Sequence, residues 1–217
     1  MSKYKQSYVS EFLSLKCAGD VLNIANPVMR IEKEISESIA IIKRLRPLAL
    51  SAPMKYTLVD MCAGNALTSL IAIHLLPFHQ AIAVDKRPRS RKWDKAKGFD
   101  YVTADIYNAP QDQYLPGDGE FIIMSSHACG ELSRRIIEIY NDNPACKHLV
   151  MLPCCIGRYR STMPQALSKK VGKYLLWCHD LWLSAKGHST IASDDKCLSP
   201  CNVVITASKE INGNIDT

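Results

Sequence analysis

Residues 56–85 read YTLVDMCAGNALTSLIAIHLLPFHQAIAVD, and this stretch decides the fold. A short apolar run, Thr57 to Asp60, ends in an acid and meets a tight turn of small residues, Met61-Cys62-Ala63-Gly64-Asn65-Ala66. An apolar helix-like segment, Leu67 to Leu76, follows, then a second apolar run, Ala81 to Val84, closing on Asp85. This is one strand–turn–helix–strand unit with a carboxylate at the C-terminal tip of each strand, the edge where open α/β sheets bind ligands. Small residues let backbone approach a ligand closely, and the second acid can accept two ribose hydroxyls, so the unit suits a nucleoside carrying a cationic group. Only Gly64 is a glycine in the turn, so it is not the three-glycine dinucleotide fingerprint. Cys62 and Ala66 carry β-carbons, which predicts that the turn avoids positive φ at both.

The same alternation continues downstream. Strands are expected at Tyr101–Ala104, Phe121–Met124, Leu149–Leu152 and Val203–Ala207, and helices at about Ser90–Lys97, Glu131–Tyr140 and Gln165–Ala185. Asp105 closes the third strand, as Asp60 and Asp85 close the first two. Upstream, Ile31, Ile35, Ile39, Ile42 and Leu45 form a helical stripe with a start signal at Asn26-Pro27 and a stop at Arg46-Pro47. The predicted architecture is α/β: a mostly parallel, twisted, doubly wound sheet with helices on both faces over residues 49–217, preceded by a helical N-terminal extension over 1–48. The polar tail INGNIDT is expected to fray.

Composition narrows the class. The chain has 217 residues, nearly half apolar, and no run approaches the length of a membrane helix. Nine cysteines in a chain of this size fit reduced thiols and a cytoplasmic protein, since a core this large needs no disulfide staples; a monomer is expected. The segment Lys86 to Lys97, KRPRSRKWDKAK, holds seven basic residues against Asp94 alone and by itself equals the net charge of +6. A second basic group comprises Arg158, Arg160, Lys169, Lys170 and Lys173. One sign packed so densely beside a ligand edge suits a phosphate backbone, and RNA is the expected partner; a solvated face is the alternative.

The turn pattern acid-x-small-x-Gly-x-small resembles motif I of class I S-adenosylmethionine (SAM) methyltransferases. The resemblance implies the Rossmann-like fold of that class and SAM as cofactor. It places Asp85 at the ribose, Asp105 with Ile106 at the adenine, Lys86 beside the ribose acid, and Asp60 with Cys62, Ala63, Gly64 and Asn65 around the methionine moiety. Beyond the fourth strand lies Ser125-Ser126-His127-Ala128-Cys129-Gly130, and beyond the fifth Pro153-Cys154-Cys155-Ile156-Gly157. This pair of turns is similar to a subgroup that includes the eukaryotic tRNA 2′-O-methyltransferases of the acceptor stem and the methyltransferase-like domain of glutathione S-transferase C-terminal-domain-containing proteins. The resemblance covers about Thr57 to Gly157 and implies a tRNA-modifying transferase, with Ser126 and His127 at the cofactor's reacting end. Zinc-finger modules of the tRNA enzymes are not apparent.

Chemically, methyl transfer needs placement more than covalent assistance. His127 is the candidate base for a hydroxyl nucleophile and Arg158 the candidate phosphate clamp, with Cys129 beside them; a capping role for His127 is the competing view. A zinc site from His127, Cys129, Cys154 and Cys155 has proper ligand types. Adjacent cysteines diverge in an extended backbone, however, so no metal is expected. Cys197-x-x-x-Cys201 and Cys178-His179 lack clean paired spacing, and no Cys-x-x-Cys redox pair is present. The alternatives to an RNA methyltransferase are a non-catalytic SAM- or RNA-binding module on the same fold, and a methyltransferase for a small molecule or protein.

Overall fold

The structure, a computed structural model, describes residues 6–126, 128–160 and 163–210. His127 and the tail INGNIDT therefore lie outside the described residues.

Seven strands form one sheet: β1 (Tyr56–Met61), β2 (Gln80–Asp85), β3 (Phe99–Thr103), β4 (Glu120–Ser125), β5 (Cys146–Met151), β6 (His188–Ser193) and β7 (Val203–Ser208), in the order β3-β2-β1-β4-β5-β7-β6. The pairs β1–β2, β2–β3, β1–β4 and β4–β5 are parallel, whereas β7 runs antiparallel to both β5 and β6. The order reverses between β1 and β4, so the tips of those strands open a crevice. The central strands are nearly continuous apolar runs because both faces are covered. Side-chain alternation sends Leu58, Ala83, Ile122 and Val150 into one core and Val59, Val84, Ile123 and Leu149 into the other.

The first core is roofed by α1 (Tyr8–Leu13), α2 (Ala18–Ala25), α3 (Ile31–Ser51) and α4 (Leu67–Leu75). The second is covered by α5 (Glu131–Asp142) and α7 (Lys173–Ser184), with the short α6 (Gln165–Val171) preceding α7. The predicted stripe on α3 is the face that packs: Ile35, Ile39, Ile42, Leu45 and Ala49 are buried with the sheet residues. The N-terminal helices thus share a core with the sheet. Tyr8 also donates its hydroxyl to Asp194 at 2.8 Å, tying α1 to the loop after β6.

Several sequence expectations are corrected. The helix α3 runs through Pro47 to Ser51 instead of stopping at it; Pro47 is on the exposed side, where water can serve the carbonyl that loses its partner. No helix spans Ser90–Lys97, which holds only a 3₁₀ turn at Trp93–Lys95. Trp93 instead stacks on Tyr101 with ring centroids 5.0 Å apart, a tertiary contact that outweighs local helix propensity. The long helix expected over 165–185 is broken at Gly172, whose φ is 90°. The strand β6 was not foreseen.

Candidate cofactor cleft and thiol turns

The turn after β1 is built on strain that its sequence did not announce. Positive φ occurs at Cys62 (61°), Gly64 (56°) and Ala66 (56°), which overturns the expectation for Cys62 and Ala66. The left-handed region costs a β-carbon-bearing residue about 1–2 kcal/mol, and the surrounding hydrogen bonds hold it there. Ala63 N–H donates to the Val84 carbonyl at 2.9 Å, Gly64 N–H to the Asp85 carboxylate at 2.9 Å, and the Tyr101 hydroxyl to the Gly64 carbonyl at 3.1 Å. Ala66 is the residue before α4, so its left-handed conformation turns the chain straight into that helix.

Asp85 lies at the tip of β2, 6% exposed. One carboxylate oxygen takes the Gly64 N–H and the other the Arg87 N–H at 2.9 Å, with the Arg87 guanidinium 3.3 Å away. Each oxygen keeps acceptor capacity. Asp105, beyond β3, accepts from Tyr107 N–H at 3.1 Å and the Asn108 amide at 3.0 Å, and pairs with Lys86 at 3.2 Å; these partners hold its carboxyl below the usual range, the Tyr107 N–H contributing most. Between the two acids opens a cavity of about 280 Å³ lined by Cys62, Val84, Asp85, Lys86, Arg87, Ala104, Asp105, Ile106, Cys129 and Leu132. Arg87, Val84, Ala104 and Leu132 were not singled out from sequence. Apolar residues before Asp85 and Asp105 and one in the first turn of α5 are the signal that would have found three of them.

A family model described as a methyltransferase domain matches residues 32–161, more than half of the chain. The protein is a member of that methyltransferase family. Its cofactor is S-adenosylmethionine. No curated protein matches the sequence. Among solved structures, the pyocyanin biosynthetic protein PhzM is similar at a TM-score of 0.50 and 14% identity, over 95% of this chain and 63% of that one. This likeness shows the fold. The precorrin-6y C5,15-methyltransferase of Geobacter metallireducens is similar at 0.49 and 17%, over 86% and 93% of the two chains. The TrmK of M. capricolum, whose structure contains S-adenosyl-homocysteine, is similar at 0.41 and 12%, over 77% and 68%.

The methyltransferase cleft fits its cofactor on its own evidence. Val84, Ala104, Ile106 and Leu132 offer apolar walls for a flat base, and two carboxylates flank them. A further acid, Asp60, lies deeper, 1% exposed; one oxygen accepts from the Ser69 hydroxyl at 2.9 Å, and Oδ1 has no partner among the described residues. Burial, and to a lesser degree the Asp85 charge, raise its carboxyl to about 7. A buried acceptor left open in this way calls for a donor such as an ammonium group. The side-chain amide of Asn65, in the same turn, donates to the Glu34 carboxylate of α3, so the N-terminal helices reach the cleft.

On the other side of the crevice the chain leaves β4 through Ser125 and Ser126. Ser125 donates to the Met61 carbonyl at 2.8 Å, while Ser126, Thr68 and Ser38 form a hydroxyl chain with 3.4 and 2.8 Å links. Cys129 then makes an isolated parallel bridge with Cys155, and Gly130 N–H donates to the Cys155 carbonyl at 3.1 Å. The two turns touch at their glycines. A β-carbon on Gly157 would lie 2.9 Å from the Gly130 Cα, and both residues have positive φ. The Sγ atoms of Cys129 and Cys154 are 2.7 Å apart. Thiol hydrogen bonds, from Cys154 first, lower Cys129 to about 6, while burial raises Cys62 to about 12. Arg158 is exposed on the turn just beyond Gly157.

The basic segment borders the cleft through Lys86 and Arg87. Of its seven cations, Lys86, Arg87, Lys92, Lys95 and Lys97 are exposed, whereas Arg91 folds back onto the Ala25 and Ser90 carbonyls. Among the described residues no helix is long and apolar enough to cross a membrane.

Proposed function

We propose that this methyltransferase modifies RNA, with tRNA the first substrate to test. The observation that supports it is the set of exposed cations Lys86, Arg87, Lys92, Lys95 and Lys97 in the run leading directly from the cofactor cleft. Phosphates held there bring a neighbouring nucleotide to the crevice, and the salt sensitivity of such contacts is a direct test. The paired turns resemble the tRNA 2′-O-methyltransferase subgroup, which favours a ribose hydroxyl as target.

The bound cofactor supplies an electrophilic methyl group on a sulfonium. Asp85 would accept from the ribose hydroxyls, Asp105 would accept from the adenine side with Ile106 packed against the base, and Asp60, through its open oxygen, would receive the ammonium of the methionine moiety. Ser126 and the Cys62–Asn65 turn would enclose that end. His127 takes the proton from the attacking hydroxyl, Arg158 holds an adjacent phosphate, and Cys129 shapes the turn between them. The barrier falls because the nucleophile is held in line, which is where such reactions gain most.

The test is transfer of tritiated methyl from SAM to fractionated RNA, run across a salt series and repeated with His127→Ala. Labelled tRNA, a steep loss of activity with salt, and an inactive variant that retains SAM affinity support the reading. RNA binding without transfer would instead identify a non-catalytic module, and transfer to a small molecule or protein at a salt-independent rate would sink the RNA assignment.

A further inference from the structure

We infer that Cys129, Cys154 and Cys155 form a binding site for a single zinc(II) ion at the mouth of the crevice. The sequence argument against such a site was divergence of adjacent cysteines. The fold removes it: the three Sγ atoms all lie within 4.8 Å of one another. The bridge between Cys129 and Cys155 brings the two turns into register. Around Cys154 the backbone is also fixed, because the Tyr174 hydroxyl donates to the Pro153 carbonyl at 3.0 Å and receives the Val203 N–H at 3.2 Å.

A tetrahedral ion with Zn–S bonds of about 2.3 Å sets its sulfurs roughly 3.8 Å apart, inside the envelope these thiols occupy. Cys129 and Cys154, at 2.7 Å, need only to open by about an ångström, which rotation about their side chains provides. A disulfide between that pair is the rival. It would use two thiols and leave the third without a purpose, whereas the geometry has gathered three. The ion binds three thiolates, with any thiol protons released to solvent, and leaves a singly negative three-thiolate zinc centre. Three protein ligands leave the fourth position for water or a substrate oxygen, as in open zinc sites. Two of the three thiols, Cys129 and Cys155, are exposed, so the ion has an entry path.

The experiment uses the full chain, purified under reducing conditions, stripped with chelator and titrated with zinc or cobalt(II). The expected result is one metal per chain by elemental analysis and, with cobalt, thiolate-to-metal charge-transfer bands of tetrahedral type. Cys129→Ser, Cys154→Ser and Cys155→Ser should each abolish stoichiometric uptake, while Cys146→Ser and Cys178→Ser, at buried thiols elsewhere, keep it. Should a variant fail to fold, the wild type decides alone: zinc must slow alkylation of these three cysteines and no others. No uptake by a folded, reduced wild type overturns the site. So does a Cys129–Cys154 disulfide found in freshly purified protein that reduction does not convert to a metal-binding form.

Discussion

The two sides of the crevice are made by opposite means. On the side of β1 to β3, three acids stand at or just beyond the ends of separate strands, and each is held by its own set of hydrogen bonds, such as those from Gly64 and Arg87 to Asp85. On the side of β4 and β5, chemistry sits in two turns that have no independent geometry, since each closes against the other at Gly130 and Gly157. On the acid side, losing one acid removes only its own hydrogen bonds and leaves the other two acids in place. The thiol side stands or falls as a pair.

The largest effect should come from testing that dependence. Gly157→Ala places a β-carbon against the Gly130 backbone at a positive φ and should cost about 3 kcal/mol or more, read as a shift of the urea midpoint. Asp85→Ala should leave the fold in place but weaken SAM binding by about a hundredfold in calorimetry, since two charge-assisted hydrogen bonds are lost. An equal loss of stability in the two variants would erase the contrast.

Smaller effects sharpen it. Because Asp60 titrates near 7 in the fold, an incoming ammonium is received best once its proton has left. SAM affinity should therefore rise by about tenfold between pH 6 and pH 8, and Asp60→Asn should flatten that rise. Stability without cofactor runs the other way. The folded acid holds its proton above the unfolded carboxyl's range, so stability is fullest below about pH 4 with respect to this group and falls as pH rises through 7; Asp60→Asn should reduce that decline in thermal melts. Last, Ala66→Gly should raise stability by up to about 1 kcal/mol, relief of left-handed strain exceeding the loss of one buried methyl. A loss of stability there would mean that the Ala66 side chain packs more tightly than its strain costs.

The sequence made most of the sheet legible because central parallel strands must be apolar on both faces, as in Leu58-Val59 and Ile122-Ile123. The strand β6 escaped because an edge strand is half solvated: HSTIAS contains one large apolar residue, and none of its side chains is fully buried. At Gly172 the helical spacing continues across a break that only one residue marks. The acids at Asp60, Asp85 and Asp105 could be found by position alone, since a strand end followed by a turn specifies where they stand. Left-handed Cys62 and Ala66 could not, because their conformation is imposed by partners as distant as Tyr101 and Val84. The convergence of Cys129 with Cys154 and Cys155 likewise depends on the pairing of two chain segments some twenty-five residues apart, which no local pattern encodes.

The contact between Gly130 and Gly157 also constrains how this protein can vary. Neither loop can be exchanged, lengthened or redesigned by itself, for the partner loop supplies the wall that forbids a side chain. A transplant of the crevice onto another sheet would have to carry both loops and the two adjacent strands that set their spacing. The smallest heritable unit of this half of the site is therefore a pair of strands with their two turns.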